Sequence, residues 1–183
     1  MKVTSLGDYC AIGRKGITAV TIPSTVQTIE NGALAELNIT SITIPEGVTY
    51  IGTWAFHADN ELAAVSLPST LRKIDDNAFN ELEKLTVINI PEGVTEIGKW
   101  VFVNDYELTK VYLPSTLKSI DNGAFQGLDK LSEVHIKATT PPVLSSGVFD
   151  PCYNNAILYV PLGYIQTYRN ATEWLFFKNI VEE

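Results

Sequence analysis

The sequence is poor in the residues that carry out most enzyme chemistry. It contains two cysteines and two histidines among 183 residues. No cysteine or histidine spacing fits a zinc site. It has no glycine-rich phosphate loop, nucleophile elbow or HExxH motif. These absences predict a protein that is not an enzyme and that holds no metal and no cofactor.

Positive charge and long apolar runs are scarce as well. Lysine and arginine together number 13, against 21 aspartate and glutamate residues, so the formal net charge is −8. An acidic chain repels phosphate backbones, which argues against a nucleic-acid partner. No apolar run approaches the ~18 residues that a membrane-spanning helix needs. The sequence therefore predicts no membrane span.

What the sequence does contain is one unit in several copies. Residues 62–84 read LAAVSLPSTLRKIDDNAFNELEK, and copies occupy residues 17–38, 39–61, 85–107 and 108–130. A fixed period of roughly 20–50 residues is typical of repeat architectures. Within each copy, apolar and polar residues alternate before a proline, which predicts a short strand that the proline ends. One copy alone buries too little apolar surface to fold, so the copies must stack.

The shared pattern L-x-x-V-x-I-P-x-x-V-x-x-I-x-x-x-A-F resembles the leucine-rich repeats of BspA-like bacterial surface proteins, and the resemblance covers nearly the whole chain. It implies a right-handed solenoid with a parallel β-sheet on one face, mostly strand and irregular structure, and a short C-terminal helix. The tail resembles the C-terminal cap of such proteins from Bacteroidetes. The resemblance further implies an extracellular or cell-surface location and adhesion to host matrix proteins or other cell-surface proteins.

The register of the repeats predicts a single domain over residues 1–183. Residues 1–16 match the back half of a coil whose strand is missing, which suggests a fragment of a longer protein. Residues 17–136 form regular repeats, and residues 137–183 form a capping coil with a short helix near residues 162–169. Seven parallel strands are expected near residues 20, 42, 65, 88, 111, 134 and 158. Five phenylalanines in one slot predict a buried column of Phe56, Phe79, Phe102, Phe125 and Phe149.

The register also places the cysteines and the acidic residues. Cys10 and Cys152 lie about six coils apart at ~4.8 Å per coil, too far for a disulfide. Cys10 occupies a small-residue slot, so we expect it to be buried. Acidic residues recur in the loops that follow each phenylalanine, and we expect them to form a solvated edge. They are Asp59, Glu61, Glu81, Glu83, Asp105, Glu107 and Asp129.

The outward-facing strand positions stack into a surface whose two halves differ. The N-terminal half carries small residues such as Thr21, Thr43 and Ser66. The C-terminal half carries aromatic and charged residues, namely Lys110, Tyr112, Glu133, His135 and Tyr159. Tyrosine adds contact area at low entropic cost, which makes this half a candidate surface for a protein partner. The alternative is that a β surface simply favours threonine and tyrosine.

A second candidate lies in the slot two residues before each phenylalanine, where large and small residues alternate. Either the large rings lie across small neighbours, or Trp54 and Trp100, about 10 Å apart, form an exposed ladder that stacks on sugar rings. Three functions therefore stay open. They are a non-enzymatic binding or adhesion module for a protein partner, a structural spacer in a larger surface protein, and a carbohydrate-binding module that uses the two tryptophans.

Overall fold

The chain folds into a parallel β-solenoid of about eight turns, described here by a computed structural model that covers residues 2–183. One short α-helix, α1, spans Ile165–Arg169, and 3-10 turns occupy Cys152–Asn154 and Trp174–Phe176. In chain order the strands are β1 Ser5–Leu6, β2 Thr28–Ile29, β3 Ser41–Thr43, β4 Tyr50–Ile51, β5 Ala64–Ser66, β6 Lys73–Ile74, β7 Val87–Asn89, β8 Glu96–Ile97, β9 Lys110–Leu113, β10 Ser119–Ile120, β11 Glu133–Ile136, β12 Val143–Leu144, β13 Ile157–Val160 and β14 Asn179–Glu182.

The strands that precede the prolines form what we call the front sheet. β3 pairs with β5, and β7, β9, β11, β13 and β14 form a five-stranded parallel sheet. The six strands predicted from residue 42 onward are confirmed. The strand predicted near residue 20 is absent, and the front sheet begins one coil later at β3. β14, which pairs with β13, was not predicted.

A second parallel sheet, the back sheet, lies on another side of each coil. It contains seven strands of two residues each, in the order β1-β2-β4-β6-β8-β10-β12. The predicted solenoid with a parallel sheet is confirmed, and this back sheet is an additional feature that the sequence analysis did not predict. Each of these strands directs a leucine or isoleucine inward, and Ile51 and Ile74 are completely buried. Two residues are too few for the alternation of a strand to be visible in the sequence.

The predicted phenylalanine column is confirmed. Neighbouring rings of Phe56, Phe79, Phe102, Phe125 and Phe149 stack with centroids 5.1–5.7 Å apart and interplanar angles of 3–9°. All five rings are completely buried. The column arises because parallel coils in register place the same side chain at the same depth in every turn.

The C-terminal residues close the open end of this core. Trp174 and Phe177 pack against Phe149 with ring centroids at 5.7 and 5.3 Å. The indole N–H of Trp174 donates to the carbonyl of Pro142 at 2.8 Å, so the buried ring keeps its hydrogen bond. The helix α1 begins later than predicted, since Gly163 has a φ of 88° that a right-handed helix does not accept.

Candidate binding surface

The aromatic residues predicted on the front sheet form one continuous stack. β9, β11 and β13 pair so that Tyr112, His135 and Tyr159 are direct neighbours. The ring centroids are 4.5 Å apart between Tyr112 and His135, and 4.3 Å apart between His135 and Tyr159. All three side chains are half-buried, because each ring covers its neighbour. The strip therefore presents ring edges and hydroxyl groups to the solvent.

The charged residues of the same strip are linked to the stack. Lys110 Nζ lies 3.0 Å from Glu133 Oε2, and this hydrogen bond raises the pKa of Lys110 and lowers that of Glu133. The two ring nitrogens of His135 lie 3.2 Å from Glu133 Oε2 and 2.7 Å from Glu183 Oε2. The structure thus brings all five predicted strip residues together. It adds Glu183, which was missed because the strand that carries it to this position was not predicted.

The N-terminal half of the front sheet offers much less contact area. Its outward residues are short and exposed, as at Ser41, Thr43, Ala64 and Ser66. Val87 is the first larger residue of the row, with 42% of its surface exposed. The two halves of the front sheet therefore differ in the contact area that they offer, and the difference follows from side-chain size.

The two tryptophans lie away from the strip, at the corner that follows each back strand. Trp54 is 44% exposed and Trp100 43% exposed. Their φ angles are 56° and 53°, in the left-handed region that bulky residues rarely occupy. Trp100 also lies across Gly123, because a Cβ on that glycine would be 2.6 Å from Trp100 Cδ1. Trp100 therefore covers a small neighbour, and both rings remain partly exposed.

Part of the predicted acidic edge is not solvated. Asp59 and Asp105 are completely buried, and each accepts a backbone hydrogen bond through Oδ1, from Leu37 and Leu82 respectively. Their Oδ2 atoms have no hydrogen-bond partner within residues 2–183. Burial raises the pKa of Asp59 to about 7 and that of Asp105 well above its usual range. The prediction of a solvated position is therefore wrong for these two residues, although Glu61 and Glu83 are exposed.

The cysteines are both free, but their burial is the reverse of the prediction. Cys10 is exposed and Cys152 is buried. Cys10 does occupy the slot of the buried Ala55, yet no preceding coil among the described residues covers it. Burial raises the pKa of the Cys152 thiol to about 11, and the thiol donates to the carbonyl of Leu128 at 3.2 Å. Cys152 is therefore a core residue rather than a nucleophile.

Residues 2–183 bring together no group of three or more histidine, cysteine and acidic side chains with metal-binding geometry. Within the same residues, no helix has the length and apolar character needed to cross a bilayer.

The chain belongs to the family described as the BspA type leucine-rich repeat region. The family model matches six copies, over residues 1–108 and 102–172. This match agrees with the repeat register, the prolines that follow the front strands and the phenylalanine column.

Solved bacterial leucine-rich repeat proteins share the fold. The T. pallidum leucine-rich repeat protein TpLRR aligns with a TM-score of 0.67 and 28% identity, over 78% of this chain and 72% of that one. The pneumococcal vaccine antigen PcpA aligns with a TM-score of 0.68 and 22% identity, over 88% of this chain but 40% of that one. A leucine-rich cell surface protein of Faecalibacterium prausnitzii aligns with a TM-score of 0.51 and 21% identity, over 99% of this chain and 57% of that one. No curated protein sequence matches the chain.

Proposed function

We propose that the chain is a single, non-enzymatic binding module that recognises a protein partner at the C-terminal half of its front sheet. The observation that carries this proposal is the stack of Tyr112, His135 and Tyr159 on the outward face of three paired strands. The recognition surface consists of these rings with Lys110 and Glu133 beside them. We call it the aromatic strip.

The geometry of the aromatic strip favours protein recognition over a purely structural role. Its rings are already ordered by stacking, so a partner that binds them loses little side-chain entropy. Tyrosine is enriched among the few residues that supply most binding energy in protein interfaces. The exposed fraction of the Lys110 side chain is 40% and that of Glu133 is 27%, so both signs of charge are available at the rim. Charges in that position select partners and orient them.

The proposed setting is the bacterial surface or the extracellular space, with host matrix proteins or other cell-surface proteins as partners. Family membership supports this setting, and so does the cell-surface description of the Faecalibacterium prausnitzii protein. The fold alone does not specify a function, so the partner class has to be tested directly.

The test is a binding assay against immobilised collagen, laminin and fibronectin and against whole bacterial cells. Tyr112→Ala and Tyr159→Ala should each weaken binding by on the order of tenfold, as expected for an interface hot spot. Thr43→Ala is the matched control on the N-terminal half of the same sheet, and it should bind like the parent protein. Circular dichroism of each variant confirms that the fold is retained.

Two results would contradict the proposal. Equal affinity of the parent and all three variants would place the contact elsewhere on the solenoid. No binding of the parent to any matrix protein or cell would favour the alternative of a structural spacer, because a spacer needs a rigid solenoid but no recognition surface.

A further inference from the structure

An open hollow lies at the corner that follows Phe102, Phe125 and Phe149 in three consecutive coils, and its lining is partly apolar and partly polar. Its volume is 380 Å³. It is lined by Val103, Asn104, Gln126, Gly127, Asp150 and Pro151. Volumes above roughly 300 Å³ are typical of sites for small molecules. The hollow is separate from the aromatic strip, which lies on the front sheet.

The polar side chains of the hollow are available to a ligand. The side chains of Gln126 and Asp150 are exposed, and neither makes a hydrogen bond within the part of the chain that the structure describes. Asn104 accepts a hydrogen bond from the Tyr106 hydroxyl at 3.1 Å, which leaves its amide N–H groups free to donate. Amides and a carboxylate together offer donors and acceptors side by side, the arrangement that neighbouring hydroxyl groups of a sugar require.

An aromatic platform adjoins the hollow through Gln126. The point above Gly123 where a Cβ would lie is 2.6 Å from Trp100 Cδ1 and 3.1 Å from Gln126 Oε1, so the indole ring and the amide are close neighbours. Trp100 keeps 43% of its surface exposed, and Tyr106, on the same loop as Asn104, keeps 49%. The C–H face of a pyranose ring packs on such an indole surface, while its hydroxyl groups reach the polar side chains.

Trp100 has a backbone conformation that is unfavourable for a bulky residue. The equivalent slot holds Gly32, Asn77 and Gly123 in other coils, and these residue types accept a positive φ readily. Trp100 adopts a φ of 53° in the same slot. Tyr9 and Trp54 adopt the same conformation in their own coils, so this conformation belongs to the slot and does not by itself distinguish Trp100.

We propose that Trp100, Asn104, Gln126 and Asp150 form a binding site for a neutral pyranose oligosaccharide, with Trp100 as the stacking platform. The site is distinct from the aromatic strip and does not depend on it. The carbohydrate hypothesis from the sequence involved both Trp54 and Trp100, whereas this proposal assigns the sugar-binding role to Trp100 alone.

Trp54 provides a control within the same molecule. It has nearly the same exposure and the same backbone conformation as Trp100. The polar positions beside it are already occupied, because His57 Nδ1 and Asn80 Oδ1 lie 2.9 Å apart and Asn80 is only 6% exposed. Ala58 stands where Asn104 stands in the later coil. Trp54 therefore has a platform without the hydrogen-bonding groups.

The experiment is a titration of the ¹⁵N-labelled protein with methyl α-mannoside, lactose, maltotriose and chitotriose, followed through the indole N–H resonances. The chain has three tryptophans, and the indole of the third, Trp174, is buried and bonded to Pro142. At least one probe should shift the Trp100 resonance saturably, while the Trp54 and Trp174 resonances stay in place. Spectra of Trp54→Asn and Trp100→Asn assign the resonances, and asparagine is the natural residue of this slot at Asn77.

Trp100→Asn should weaken binding by on the order of tenfold or more, and Trp54→Asn should leave it unchanged. Gln126→Ala keeps the platform and should also weaken binding, which covers the case in which Trp100→Asn disturbs the fold. The proposal is overturned if none of the four probes gives a saturable shift. It is also overturned if Trp54 and Trp100 shift in parallel, since stacking alone then explains the effect.

Discussion

The solenoid is built from two kinds of coil, and the difference between them explains most of its side-chain interactions. We call residues 17–38, 62–84 and 108–130 the PST coils, after their Pro-Ser-Thr sequence, and residues 39–61 and 85–107 the PEG coils, after Pro-Glu-Gly. In residues 17–38 the front strand is absent and Leu34 takes the phenylalanine slot, but otherwise both kinds of coil have a front strand, a back strand and a phenylalanine. They differ in the left-handed slot, which holds glycine or asparagine in PST coils and tryptophan in PEG coils.

Two further slots follow the same alternation. The third residue after phenylalanine is a buried leucine in PST coils and a buried aspartate in PEG coils. The glutamate of each PEG coil accepts hydrogen bonds from the serine of the next PST coil, as between Glu92 and Ser115 at 3.1 Å and 2.9 Å. Every coil therefore has unlike neighbours, and the unit that repeats in the structure is a pair of coils. A surface feature of one coil type recurs only at every second turn.

The phenylalanine column runs through both kinds of coil. Truncating a phenylalanine of a PST coil or of a PEG coil should therefore destabilise the fold equally. Phe79 lies in a PST coil and Phe102 in a PEG coil, and each ring is stacked between two others. Phe79→Ala and Phe102→Ala should each lower the free energy of unfolding by about 3–5 kcal/mol, because each leaves a cavity between filled coils. Urea denaturation measures the loss. A large difference between the two variants would contradict equal packing of the two coil types.

The repeat register accounts for how much of this fold the sequence could predict. Phe56 to Phe149 recur in one slot, and a side chain that recurs in register must lie in the same place in every coil. The back strands could not be predicted in this way, because a pair such as Ser119–Ile120 is too short to show alternation. The burial of Cys10 was predicted wrongly, because a residue in its slot is covered only where coils stack on both sides.

The candidate sites were predictable to different degrees. The aromatic strip follows from strand alternation, so Tyr112 and His135 were found from the sequence. The hollow beside Trp100 was not found, because Asn104, Gln126 and Asp150 come from three coils and share no motif. The burial of Asp59 did have a signal, since Leu37 and Leu82 occupy the same slot of the neighbouring coils.

The buried aspartates of the PEG coils should make the stability fall as the pH rises. Unfolded aspartate has a pKa of about 3.9, whereas burial, with a smaller contribution from the charge of Glu36, raises the pKa of folded Asp59 to about 7. The folded state therefore holds protons that the unfolded state has lost. The resulting stabilisation is complete below about pH 4 and is lost as the pH rises to about 7.

Asp59→Asn should remove the part of this pH dependence that Asp59 contributes. It keeps the side-chain oxygen that accepts from Leu37 and avoids the buried charge, so it should match the parent at about pH 4 and gain up to about 4 kcal/mol at pH 8. Asp105→Asn should behave in the same direction, and Glu61→Gln, on the exposed part of the same loop, should change little. The measurement is urea denaturation across about pH 4 to pH 8. An unchanged pH slope in the Asp59→Asn, Asp105→Asn double variant would show that neither carboxyl titrates as proposed.

The contact between a PEG coil tryptophan and a PST coil glycine can be isolated with a double variant. Gly123→Ala should cost about 1–3 kcal/mol, because the new Cβ would overlap Trp100 and the residue has a φ of 62°. In the Trp100→Asn background the overlap disappears, so a smaller loss from the left-handed backbone should remain. Gly127→Ala is the matched control, since its φ is 75° and a Cβ there meets nothing within 4 Å. Equal losses for Gly123→Ala in both backgrounds would rule out the overlap.

The smallest expected effect concerns the glutamate of the PEG coils, and its pH dependence should have the opposite sign. Partial burial raises the pKa of Glu92, but the hydrogen bonds from the backbone and hydroxyl of Ser115 outweigh it, and the pKa is lowered overall. A carboxyl group with a lowered pKa stabilises the fold above its unfolded pKa, and the stabilisation is lost as the pH falls.

Glu92→Ala should therefore cost less than about 1 kcal/mol at pH 7, because the contact is solvent-exposed. The cost should shrink as the pH falls from 7 to 3, because protonation of Glu92 weakens its hydrogen bonds from Ser115. Glu83→Ala is the control, an exposed glutamate that makes no side-chain hydrogen bond within residues 2–183. Thermal unfolding of the two variants at pH 7 and pH 3 separates the specific contact from the general effect of removing one negative charge. A larger loss at pH 3 than at pH 7 would contradict the assignment, since a protonated Glu92 can no longer hold Ser115 as a carboxylate does.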